Sequence, residues 1–157
     1  VPGGCDALAR SYGQEAYASG SFGDWGNAQT SLYVLRNENA GTAKTELFLD
    51  GGGARMMIPP GSTWAFEALV VGCTQDGGAF TSARSAGYRI RGVIQNAGGA
   101  VSMPGATADM LYEWVSSWDA VAQADQTHGA LVIKVTGGTM PMRWVASVRT
   151  SEVMFPY

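Results

Sequence analysis

The sequence predicts an all-β chain, an antiparallel β-sandwich of jelly-roll-like type with roughly eight to ten strands. Three observations predict it. Most apolar runs alternate with period two rather than 3.6. Glycine supplies 22 of 157 residues and charged residues only 15%, roughly double and well below ordinary usage respectively. Turn-forming clusters recur at intervals of about 8–14 residues, the spacing of a sandwich or barrel. An apolar fraction of 46% is enough for a core, so disorder throughout is excluded. The length suits one domain, read as an N-terminal arm or edge segment over 1–20 and a β-sandwich domain over 21–157.

Gln29–Arg36 reads as a strand, followed by a turn at Asn37–Gly41. Thr45–Asp50 is the next and closes on Gly51-Gly52-Gly53. A short piece through Met56, Met57 and Ile58 ends at Pro59-Pro60-Gly61-Ser62, strong turn chemistry. Thr63–Thr74 and Ala86–Gln95 alternate cleanly. Asn96-Ala97-Gly98-Gly99 then offers a hairpin into Ala100–Met103, because Asn and Gly tolerate positive φ. Trp118–Ala124, Leu131–Thr136 and Met142–Val153 complete the strands. Only Ala108–Ser117 has helical spacing, through Met110, Leu111, Trp114 and Val115. It lacks a clear N-cap, so a strand with a loop is the competing reading.

One strand bears on assembly. Thr63–Thr74 carries Trp64, Phe66, Ala68 and Val70 on one face, and Leu69, Val71 and Cys73 on the other. A strand with a wet face alternates apolar and polar, so both faces of this one should be covered, by a loop, the arm or another subunit. Leu69, Val71 and Cys73 are therefore the candidate oligomer interface. The competing reading is a strand that is simply central in the sandwich.

Net charge is −3, without the basic excess of an electrostatic nucleic-acid binder. No apolar run approaches the roughly 18 residues of a membrane-spanning helix, so neither nucleic acid nor membrane insertion is expected. Val1-Pro2-Gly3-Gly4-Cys5 has the features of no signal peptide, as a mature secreted chain would also lack them. Two cysteines are too few for a disulfide framework or a structural zinc site. Cys73 reads as a small buried hydrophobe and Cys5 as a free thiol, with a bridge between them geometrically open.

Catalytic signals are weak. His128, the one histidine, stands in the polar turn Asp125-Gln126-Thr127-His128-Gly129 and reads as a solvated turn residue. No Gly-x-Ser-x-Gly elbow accompanies it. Asp109 and Glu113 would share a face if their segment were helical; Asp24, Asp50, Asp76 and Asp119 sit at turns or strand ends, where Asp is at home. Asp76-Gly77-Gly78 supplies one carboxylate, too few for a calcium loop, and the glycine runs lack the Gly-Lys-Ser/Thr of a phosphate loop. No enzyme activity, metal or cofactor is expected. Trp64, Trp118 and Trp144 occupy core positions of alternating strands. Trp25, Tyr112 and Trp114 have loop-like surroundings with Asp, Asn and Glu nearby, the setting in which aromatic rings hold sugar rings. These three are the candidate contact residues; loop-anchoring is their other reading.

Several stretches resemble a small β-rich domain of phage and prophage tail-fibre and tailspike proteins. They are Tyr33–Asn37 with Thr45–Gly51, Ile58–Phe66, Ser85–Ile94, Trp118–Val121, Asp125, Gly129–Gly137 and Arg143–Val148. Their order and spacing match from about residue 13 to residue 153. The resemblance implies a virion component, trimeric, contacting other virion proteins and attaching to a host surface glycan or protein, and extracellular when mature. The departure is Ala106–Val115, bulkier and more aromatic here than the pattern, which suits a variable contact loop or merely a differently packed one. No catalytic motif carries across. Two other roles fit the same pattern: a purely structural virion part, such as a capsid decoration protein or fibre connector, and the trimerising cap of a polysaccharide-degrading tailspike.

Overall fold

The computed structural model describes residues 4–39, 41–74 and 84–155. Ten strands follow one another: β1 (Glu15–Tyr17), β2 (Ala28–Asn39), β3 (Thr45–Leu47), β4 (Met56–Met57), β5 (Ser62–Thr74), β6 (Arg84–Ala97), β7 (Ala100–Glu113), β8 (Asp119–Asp125), β9 (Ala130–Thr136) and β10 (Met142–Met154). They form two antiparallel sheets, the sandwich expected of the sequence. The larger has the order β1-β2-β10-β5-β6-β7; in the smaller, β9 pairs with β3, β4 and β8. β9 is apolar almost throughout and Ala130 to Ile133 are all buried, as a strand covered on both faces requires.

The inner face of the larger sheet presents Tyr33, Leu35, Trp64, Phe66, Val70, Tyr88, Ile90 and Trp144 to one continuous core. From the smaller sheet Leu47, Met56, Leu131, Ile133 and Val135 meet them. All three tryptophans assigned to the core, Trp64, Trp118 and Trp144, are buried. Tyr33 stacks on Trp64 with ring centroids 6.0 Å apart. The Trp144 indole lies over Gly72, where an added Cβ would overlap its ring carbons. Its Nε1–H donates to Asn39 Oδ1 at 3.1 Å, which gives the buried ring a polar partner.

The N-terminal segment is an edge element. β1 pairs with Thr30–Leu32 of β2, and Ala16 and Ala18 are buried. Ahead of it, Leu8 exchanges two hydrogen bonds with the Gln29 side chain. Gln29 Nε2 also donates to Glu152 Oε2 at 2.8 Å, while Thr150 and Tyr33 donate to Oε1. The buried Glu152 carboxylate thus has three donors and no ion pair among the described residues, and the arm is tied to it through Gln29.

Two expectations need correction. Ala108–Ser117 contains no helix: β7 runs on to Glu113, and a turn follows. A register shift opposite Gly87/Tyr88 inserts one extra residue, Leu111, between the partners Met110 and Tyr112. Such a bulge breaks the period-two pattern, and the broken pattern imitates helical spacing. Cys73 is also not a buried hydrophobe. It is partly exposed on the outer face of β5, and both Cys5 and Cys73 are free. The hairpin at Asn96–Gly99 forms as expected, with Gly98 and Gly99 at φ of 64° and 92° joining β6 to β7. Asp76-Gly77-Gly78 and Ala40 lie outside the described residues.

Candidate functional site

Among the described residues nothing covers the outer face of the larger sheet. Cross-strand register lines up Arg36, Val145, Val71, Gly87 and Tyr112 in one row, and Val34, Ser147, Leu69, Arg89 and Asp109 in the next. Leu69 and Val71 are 52% and 54% exposed, and Val34 and Val145 beside them are exposed as well. Neither loop nor arm among the described residues covers them, although β5 is central in its sheet. Gly87 leaves the surface low, and a Cβ there would meet Leu111 Cβ at 3.9 Å. Leu111 therefore extends the apolar patch to the sheet edge, where Tyr112 stands opposite Gly87. The patch was signalled by Leu69 and Val71; Leu111 was hidden by the bulge.

A belt of charge crosses the same face next. Its row is Leu32, Arg149, Glu67, Arg91 and Thr107. Arg89 Nε donates to Glu67 Oε1 at 2.5 Å, and Arg91 donates to Asp109 at 2.7 Å. The Arg89 hydrogen bond, against the opposing effect of burial and with the charges of Arg89, Arg91 and Arg149, holds the Glu67 carboxyl below its usual range. Arg149 makes no hydrogen bond or ion pair among the described residues. Beyond the belt the next row is Thr30, Ser151, Ala65, Val93 and Gly105. These short side chains leave a broad trough of about 740 Å³, flanked by Arg149 and Arg91.

β7 itself is uncovered. From Pro104 to Tyr112 every residue is exposed on either face, and β7 is a terminal strand of its sheet. A long exposed edge is a template for pairing unless something covers it.

The three candidate contact aromatics do not converge. Trp25 is 66% exposed, Tyr112 51% and Trp114 57%. Trp25 sits just before β2, next to the Ala28–Val153 end of the sheet, whereas Tyr112 lies at the opposite edge and the opposite end. Trp114 follows in the turn, where its N–H donates to Ser85 O. Phe22, in the Trp25 loop, is exposed too; its place in a glycine-flanked loop was the available signal.

The acidic and histidine candidates are held in local structure. Asp109 pairs with Arg91, and Glu113 accepts a hydrogen bond from the Tyr88 hydroxyl at 2.9 Å, so they form no carboxylate couple. Burial, reinforced by Glu113, raises the Tyr88 hydroxyl above its ordinary range. His128 is exposed in the β8–β9 turn, with Nδ1 2.6 Å from Asp125 Oδ2. Burial pushes the Asp125 carboxyl up, but hydrogen bonds from the His128 side chain and from turn N–H groups bring it below the usual range. Arg55 bridges Glu46 at 2.7 Å and stands 3.7 Å from Asp125. Among the described residues no three His, Cys, Asp or Glu side chains cluster to hold a metal ion.

No family model and no curated protein matches the chain. Among solved structures it is similar to three phage tailspikes. The tailspike of Acinetobacter phage vB_ApiP_P1 is 12% identical, with a TM-score of 0.40 over 79% of this chain and 22% of that one. Tailspike gp49 of Acinetobacter baumannii bacteriophage Fri1, a capsular polysaccharide depolymerase, is 7% identical, with a TM-score of 0.41 over 82% and 20%. The tailspike of Acinetobacter baumannii phage AM24 is 12% identical, with a TM-score of 0.37 over 78% and 26%. The chain spans about a fifth to a quarter of the length of these proteins.

Proposed function

We propose that the chain is a non-enzymatic module of a phage tail fibre or tailspike that assembles with copies of itself, three in number, and attaches the virion to the host surface. The observation that carries this reading is the uncovered apolar patch of Val34, Leu69, Val71, Val145 and Leu111. Burying each such side chain contributes about 1.5–3 kcal/mol, and a symmetric oligomer collects that contribution on every copy. The sequence resemblance to tail-fibre and tailspike domains supports the virion setting. Exposed Trp25, Tyr112 and Trp114, far apart on one copy, would act as separate weak contacts to glycan or protein whose effects multiply through avidity.

The test is cell binding by the purified chain, with and without Trp25→Ala, Tyr112→Ala and Trp114→Ala. The reading expects binding that falls with these substitutions. Binding to purified particles but to no cell surface would favour a purely structural part. Release of reducing ends from host polysaccharide by this chain alone would make it an enzyme.

A further inference from the structure

We infer that the trough on the outer face of the larger sheet binds an extended glycan strand bearing carboxylate groups, with Arg149 as the carboxylate-binding group. The inference rests on the attachment reading above and names the ligand class that one surface of the module would take.

The charge arrangement points to an anion. Three guanidinium groups, Arg89, Arg91 and Arg149, meet two carboxylates, Glu67 and Asp109, across adjacent rows. Glu67 binds Arg89 and Asp109 binds Arg91. That leaves Arg149 at the centre of the sheet, solvent-exposed and opposite Glu67, whose carboxyl it helps to hold down, but with no direct hydrogen bond or close ion-pair contact of its own among the described residues. A guanidinium presents a planar fork that matches a carboxylate with two parallel hydrogen bonds.

The shape and the floor point to a glycan. Ala65, Ser151, Gly105 and Ala106 leave room above the sheet for a chain thicker than one side chain. The β10, β5 and β6 strands that floor the trough are paired with one another, so a ligand lying over them meets side chains only, and free backbone groups border the trough on its β7 side alone. Sugar hydroxyls need only side-chain partners, and Ser151, Thr107 and Glu67 supply donors and acceptors along the walls while Val93 offers an apolar contact. Alternating charges also suit a ligand of spaced carboxylates and hydroxyls better than a dense polyphosphate. The trough lies at the Ala65–Gly105 end of the face and the apolar patch at the Val71–Val145 end, with the charge belt between them.

The probe is a tetragalacturonate, titrated into the purified chain by calorimetry, with its methyl ester as the uncharged control. The expected result is saturable binding that weakens with added salt, about tenfold or more loss for Arg149→Gln, and none of this affinity for the ester. Gly105→Val fills the trough from a position where an added Cβ touches nothing within 4 Å, and should abolish binding in a folded protein. Equal affinity of Arg149→Gln and the unsubstituted chain, equal affinity for the ester, or no binding at all overturns the inference. Sedimentation of the same samples separates the two proposals: failure to bind the probe sinks this inference alone, whereas a monomer sinks the assembly part of the reading above.

Discussion

The Glu67 carboxylate passes over Arg91, its directly opposed neighbour in the β5–β6 ladder, and binds Arg89 on the diagonal at 2.5 Å. This choice orders the whole charge belt. Arg91 turns to Asp109 on β7, and Arg149, opposed to Glu67 from β10, is left over. All of these groups are exposed, so the belt directs ligands and neighbours more than it stabilises the fold. Glu67→Gln is accordingly expected to leave the melting temperature unchanged, measured by circular dichroism; a large drop would mean the belt holds the sheet together.

Gly72 is where the core leaves no room. Its missing side chain is occupied by the Trp144 ring, so Gly72→Ala forces the indole to move. Overpacking of this kind costs about 1–3 kcal/mol. Urea denaturation should register that loss, while Gly105→Ala, with open space around it, serves as the near-neutral control.

Glu152 ties the N-terminal arm to the sheet. In Glu152→Gln an amide NH2 replaces one acceptor oxygen and faces the donors of Gln29, Tyr33 or Thr150. A buried donor left unsatisfied costs about 1–3 kcal/mol. The arm should loosen with it, and Arg10, which donates to Trp25 O and Gly26 O, should become a site of rapid tryptic cleavage read by mass spectrometry.

Acid should act through Asp50. Its Oδ1 accepts the N–H groups of Gly53, Ala54 and Gly52, and these hydrogen bonds hold the carboxyl well below the usual range. The unfolded carboxyl titrates near about 3.9. With the folded value lower, the stabilisation is full above that pH and is lost as pH falls toward the folded value. Asp50→Ala should therefore be less stable than the unsubstituted chain at neutral pH, with the gap narrowing below about pH 4 in chemical denaturation series.

The sequence made the sandwich readable because burial on one face leaves a period-two imprint, as in β2, β5, β6 and β10. Trp64 and Trp144 were assignable to the core for that reason. β7 was not, because the bulge at Leu111 scrambles the alternation and because a strand exposed on both faces has no buried face to mark it. The apolar patch was partly legible: Leu69 and Val71 stand out within one strand, but their neighbours Val34 and Val145 come from strands whose register no local pattern announces. The trough was invisible for the same reason, since Ala65, Ser151 and Gly105 are unremarkable until three strands bring them together.

Sedimentation velocity on the purified chain at micromolar concentration tests the assembly most directly. The uncovered outer face requires a particle at a multiple of 16.4 kDa that dissociates in the double variant Leu69→Asp, Val71→Asp while circular dichroism stays unchanged. A single species at 16.4 kDa for the unsubstituted chain would contradict it.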